Sequence, residues 1–127
     1  MSKPIKSFNA KDLAIYRETL EQRQTTEEYN LAKRFQKAWE IAHQAATLLK
    51  EKFGAEQVIV FGSLVHQCWF SPSSDIDLGV WGLDNLTYLI AVAQLQDISP
   101  EFKIDLISMK SCQPELKQLI LREGQLL

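Results

Sequence analysis

Few cysteines, no long apolar run and no strong excess of one charge set the first limits on this 127-residue chain. Cys68 and Cys112 are its two cysteines, and they lack Cys-x-x-Cys spacing. That excludes a zinc ribbon or a dense disulfide framework, and it leaves two free thiols as the expectation. No apolar run approaches the ~20 residues that a membrane-spanning helix needs. The first residues lack an apolar stretch of signal-peptide type, so a cytoplasmic chain is expected. The net charge of −2 excludes a broadly basic nucleic-acid surface. No internal repeat or low-complexity segment interrupts the chain. With 46% apolar and 24% charged residues, it has the composition of one ordinary globular domain.

The charge is unevenly spread. Residues 1–53 hold ten Lys/Arg and seven Asp/Glu, whereas residues 54–127 hold four and nine. A phosphate ligand bound in the acidic half would need cations to offset its charge.

Residues 1–8 read as a loose tail. Asn9 can cap a helix carrying Leu13, Tyr16 and Leu20 at i, i+3, i+7. Thr25 and Glu28 make a capping-box pattern before Leu31, Phe35, Ala38, Ala42, Leu49 and Phe53, with Gly54 as the stop. The sequence leaves open whether the two helices join through 22–26. After Gly54 the period changes to that of strands, expected over Gln57–Phe61, 75–81 and 103–107. Asp84 or Asn85 starts a helix carrying Leu86, Leu89, Ile90 and Ala93. Pro114 starts a last one that ends at Gly124. The chain thus divides into an N-terminal helical extension, 1–54, and a core, 55–127. Strands alternating with helices imply an α/β or α+β sheet flanked by helices.

The chemistry gathers around three segments. Val58-Ile59-Val60-Phe61 is an apolar strand that runs into Gly62-Ser63. Asp75-Ile76-Asp77-Leu78 carries two carboxylates on a second strand, and Ile104-Asp105-Leu106 carries a third. Residues i and i+2 of a strand share a face, so Asp75 and Asp77 project together, roughly 6–7 Å apart at Cα from a ~3.3 Å rise. Ionised carboxylates on apolar strands need partners, and hard oxygen ligands suit Mg²⁺. Gly62 allows close approach of a phosphate, and Ser63 offers a hydroxyl and an amide. A short helix over 64–69 would aim further N–H groups at an anion. Pro72-Ser73-Ser74 reads as a turn into the acidic strand.

Phe61-Gly62-Ser63, Ser74-Asp75-Ile76-Asp77-Leu78 and Ile104-Asp105-Leu106, in that order, resemble the nucleotidyltransferase superfamily typified by DNA polymerase beta. The closest look is to its minimal, single-domain members, and Leu119-Ile120-Leu121-Arg122-Glu123-Gly124 is similar to their C-terminal segment. The resemblance implies a mixed sheet with flanking helices. It implies phosphate binding at Gly62 and Ser63, and two Mg²⁺ ions at Asp75, Asp77 and Asp105, with Asp105 also helping to deprotonate the acceptor hydroxyl. The reaction implied is transfer of an NMP, AMP from ATP, with release of pyrophosphate. Minimal members often pair with a HEPN-domain toxin and act as its antitoxin. The chain departs from the pattern at Leu64, where many members have Arg, and at Gln67, where Gly is common. Its Ser63-to-Asp75 spacing is also about a residue longer. Lys103 and Lys110 are candidates to replace the missing charge.

Two functional readings follow from these residues. One is a catalytic nucleotidyltransferase. The other is a binding module that neutralises a partner without turnover. His66 lies just after the turn but lacks a second His or Cys at metal spacing, and it reads as a half-exposed helix residue. Trp39, Trp69 and Trp81 read as packing residues, and the Tyr16 face as a cover or a partner-helix surface. The sequence leaves the oligomeric state open.

Overall fold

The structure, a computed structural model, describes residues 9–127. The expected tail at 1–8 lies outside the described residues. The chain divides into two units, Met1–Lys33 and Arg34–Leu127.

A single helix, α1, runs over Ala10–Glu51. In the first unit Asn9 caps it. The Asp12 amide donates to Asn9 Oδ1 at 2.8 Å, while the Asn9 amide reaches back to Asp12 Oδ2 at 3.5 Å. No second helix starts at Thr25. The Thr25 and Thr26 hydroxyls donate to the carbonyls of Glu21 and Gln22, four residues back. The helical ladder thus runs through 22–26, and these hydroxyls bond within it instead of capping a new start.

In the second unit, burial along α1 begins at Ala38, well before the expected boundary at 54. Ala38, Ile41, Ala42, Ala45, Ala46 and Leu49 form one buried face of mostly small residues, which lets the helix backbone lie close to its neighbours. Phe35 meets Phe70 edge-on at 5.1 Å between ring centroids. The Arg34 guanidinium lies 4.1 Å from the Phe102 ring and donates to the Glu101 carbonyl at 3.3 Å. These contacts pin α1 against the segments that lead into the second and third strands.

The sheet has four strands: β1 (Gln57–Phe61), β2 (Ile76–Trp81), β3 (Ile104–Ser108) and β4 (Gln125–Leu126). Their order is β3-β2-β1-β4. β1 is antiparallel to β2 and β4, and β2 is parallel to β3. Two helices complete the fold, α2 (Asn85–Leu95) and α3 (Pro114–Glu123). This is a mixed sheet with flanking helices, as expected. β4 is an addition to the expectation.

The register assigns the faces. Val58, Val60, Leu78, Val80, Ile104 and Leu106 share one face, and each is at most 7% exposed. The buried residues of α1 and of α2 (Ala91 and Leu95) complete that core. Full burial of such side chains contributes ~1.5–3 kcal/mol each. The other face carries Ile59, which packs with Met109 and with Ile120 of α3. Phe61, Trp81, Ile107 and Leu116 lie around that cluster. Asp77 and Asp105 belong to this second face, beyond the end of the α3 cover.

Candidate active site

Asp77 and Asp105 are register partners on the parallel pair β2–β3. Opposite residues in a ladder point to the same side, so the two carboxylates share a face. Asp75 lies just before β2, two positions from Asp77, and its charge acts on Asp77. On its other side Asp77 pairs with Phe61, the residue before Gly62. Three separated sequence segments are thereby brought to one end of one sheet face.

Gly62 touches the acid directly. Its φ is +74°, and a Cβ placed there would fall 2.5 Å from Asp77 Oδ2. Only glycine accepts both that backbone conformation and that proximity. The expected helix over 64–69 does not form. Gly62–Leu64 and Gln67–Trp69 are separate 3-10 turns, interrupted at His66, which has φ −119° and ψ 81°. The close approach at Gly62 remains, but no α-helix N-terminus stands behind it. Pro72-Ser73-Ser74 is the expected turn. The Ser71 amide donates to Ser74 Oγ at 2.8 Å, and the Ser74 amide to the Ser71 carbonyl at 3.1 Å, which sets Asp75 at the entry to β2.

Asp77 is the acid whose charge this setting disfavours. Asp77 is raised from 3.8 to about 6, first by burial, then by the charges of Asp105 and Asp75, with Lys103 opposing. The Lys103 ammonium lies 3.5 Å from Asp105 Oδ1. Among the described residues, no three His, Cys, Asp or Glu side chains converge closely enough to hold a metal ion as they stand. The backbone aligns the three acids without focusing their side chains on one point. An oxygen-only donor set that is acidic and self-repelling nevertheless fits a hard divalent cation.

A profile of the polymerase beta nucleotidyltransferase family matches residues 43–127. The chain belongs to that family. The nucleotidyltransferase domain also resembles solved structures. One, assigned as a minimal nucleotidyltransferase, has 25% identity and a TM-score of 0.59, with 73% of this chain and 95% of that chain covered. Another is a chain of a toxin–antitoxin crystallised with AMP-PNP, at 22% identity and TM-score 0.56, covering 67% and 70%. A third comes from a tri-AMPylated Shewanella oneidensis HEPN toxin in complex with MNT antitoxin, at 20% identity and TM-score 0.53, covering 70% of each chain. No curated protein sequence matches.

Within the nucleotidyltransferase domain, Ser63 sits in the turn beside Gly62, partly exposed. Leu64 is buried at 2% exposure, so the position where many members carry Arg serves the core here. Gln67 and Lys110 are exposed. Trp39 and Trp81 are partly buried, whereas Trp69 is 61% exposed and stacks on His66 with ring centroids 4.1 Å apart. Cys68 and Cys112 are free thiols. Among the described residues no helix is long and apolar enough to cross a membrane.

Two features escaped the sequence reading. His66 Nε2 lies 3.1 Å from Glu123 Oε2, linking the segment after Gly62 to the end of α3. The Glu123-Gly124 ending was legible as a motif, but its contact to His66 was not. Gly79, the partner of Ile59 and Ile107, is the other. A Cβ there would lie 2.6 Å from Met109 Sδ. A glycine inside a strand hints at close packing but does not name the neighbour.

Proposed function

We propose that the chain is a metal-dependent nucleotidyltransferase that moves an NMP, AMP from ATP, to a hydroxyl on a partner protein. We further propose that the partner is a HEPN-domain toxin and that the chain acts in the cytoplasm as its antitoxin. The observation that carries this reading is the register pairing of Asp77 with Asp105 beside the Gly62 bend. The family match supports nucleotidyl transfer. The likeness to toxin–antitoxin chains supports the partner class.

In this reading the α-phosphorus gains a bond to the acceptor oxygen and loses its bond to the bridging oxygen, which leaves with pyrophosphate. The acceptor proton passes to Asp105. Gly62 and Ser63 receive the phosphates, because the bare Cα of Gly62 lets the backbone approach them. Asp75, Asp77 and Asp105 would hold two Mg²⁺ ions, which when bound stabilise the attacking and leaving oxygens. Lys103, already beside Asp105, supplies the nearest positive charge for a phosphate oxygen. Asp77 must lose its proton to act as a ligand, so activity should fall as pH drops through about 6.

The test is incubation with α-labelled ATP, Mg²⁺ and the HEPN-type product of the neighbouring reading frame. Label should move to that protein, and Asp75→Asn or Asp77→Asn should lower transfer by at least ~10²-fold. The second reading, a binding module without turnover, is favoured by the burial of Leu64, which leaves that position without a phosphate contact. If both Asn variants still neutralise the toxin in cells, the catalytic reading fails and the second one stands.

A further inference from the structure

We propose that His66 and Glu123 are a positioning pair, which holds the turn at Gly62-Ser63 in the shape that receives the phosphates of a nucleoside triphosphate. The proposal rests on the nucleotidyltransferase reading above and adds two residues to its machinery. His66 Nε2 lies 3.1 Å from Glu123 Oε2, and each side chain is 32% exposed. A carboxylate only accepts, so the imidazole donates from Nε2. The ring also stacks on Trp69, whose amide donates to the His66 carbonyl at 2.8 Å. Glu123 closes α3, where an acid opposes the negative end of the helix dipole. Helix stability therefore does not account for Glu123, whereas pairing with His66 does.

One short segment holds the turn at both ends. β4 pairs with Ile59 and Val60, just before Gly62, and Glu123 meets His66, just after it. Gly124 is the single residue between these two contacts. Inside the bracket, the amides of Val65 and His66 both donate to the Gly62 carbonyl, at 3.2 and 3.3 Å. The 62–63 peptide is trans, so the Ser63 N–H points opposite to that carbonyl. Fixing His66 thus fixes the 62–63 peptide, and with it the direction in which the Ser63 amide meets a phosphate oxygen. Leu64 is buried and anchors the middle of the turn, which leaves the far end to His66.

The test runs the transfer assay above over a range of ATP concentrations, beside hydrogen exchange of the full chain followed by NMR. Glu123→Ala and His66→Ala should each raise the KM for ATP by ~5–10-fold, the loss expected for a hydrogen bond to a charged group. Their kcat should change by less than about twofold. The same factor should appear in the Kd for ATP with Mg²⁺ measured by calorimetry, which reads the turn whether or not label is transferred. His66→Gln keeps an N–H donor near the Nε2 position and should restore most of the affinity. The double variant should be no worse than either single one, because the two residues act as a unit. Exchange at the Val65 and His66 amides should quicken by at least ~5-fold in Glu123→Ala, while the amides of β2 keep their rates. A lower melting temperature with unchanged KM and Kd would make the pair merely structural and overturn the proposal. So would additive single variants, a His66→Gln that behaves as His66→Ala, or unchanged exchange at Val65 and His66. Indifferent variants of an ATP-binding wild type overturn this proposal alone, whereas a wild type that binds no ATP overturns the nucleotidyltransferase reading with it.

Discussion

Asp77 is the residue at which stability and activity pull apart. Its carboxyl is raised to about 6, so between 3.8 and 6 the folded chain holds a proton that the unfolded chain has released. Stability is then full below 3.8 and falls as pH rises through 6. Because Asp77 is partly solvated, screening reduces the effect to about 1 kcal/mol. Asp77→Asn removes the charge. In metal-free buffer at pH 7.5 the variant should melt ~3–6 °C above wild type, while nucleotidyl transfer is lost. A calorimetric pH series should show the wild-type slope and a flatter variant. Asp84 acts in the opposite sense. The Thr87 amide donates to its side chain at 2.7 Å and holds its carboxyl below the usual range, so its contribution is lost as pH falls. Gly62→Ala adds a side chain at positive φ and against Asp77 Oδ2. The variant should lose transfer activity, and its Asp77 titration, followed by NMR, should move from that of wild type.

β3 is an edge strand, and α2 closes that edge. The Tyr88 hydroxyl donates to the Leu106 carbonyl at 2.6 Å, and Gln96 Nε2 donates to the Ile104 carbonyl at 2.7 Å. These carbonyls lie two residues apart, on the side of β3 away from β2, where an open ladder would otherwise invite another strand. Tyr88→Phe should cost ~1 kcal/mol in urea unfolding and increase aggregation on storage. Asp105 sits between these two residues, so the capping bonds also hold the strand that presents it. At the opposite edge, β4 pairs with Ile59 and Val60, and the Leu127 amide donates to the Val58 carbonyl at 2.9 Å. The Lys50 ammonium bonds the Leu127 carbonyl, which ties the end of α1 to that edge.

For the molecule as a whole, the acidic site and the fold are coupled. The Asp77 charge, disfavoured by burial and by its two acidic neighbours, opposes folding until a cation offsets it. Mg²⁺ at millimolar concentration should raise the melting temperature at pH 7.5 by a few degrees, and by less at pH 5.5, where protons compete at Asp77. Equal shifts at both pH values, measured by scanning calorimetry, would count against a site that includes Asp77.

What the sequence determined by itself was what repeats locally. Short apolar runs placed β1, β2 and β3. Asp84 and Pro114 marked the starts of α2 and α3, because capping and a fixed φ act within one turn. The three acids were legible because carboxylates stand out on apolar strands. Tertiary structure decided what depends on distant partners. Thr25 and Glu28, an equally local signal, look like a helix start, yet the Thr25 hydroxyl bonds four residues back within one continuous helix. β4 is only two residues long and exists because β1 offers it an open edge. His66 meets Glu123 only because the turn after β1 and the end of α3 are folded together. The pairing of Asp77 with Asp105 is likewise a matter of register, which hydrogen bonding between distant strands sets and no local pattern encodes.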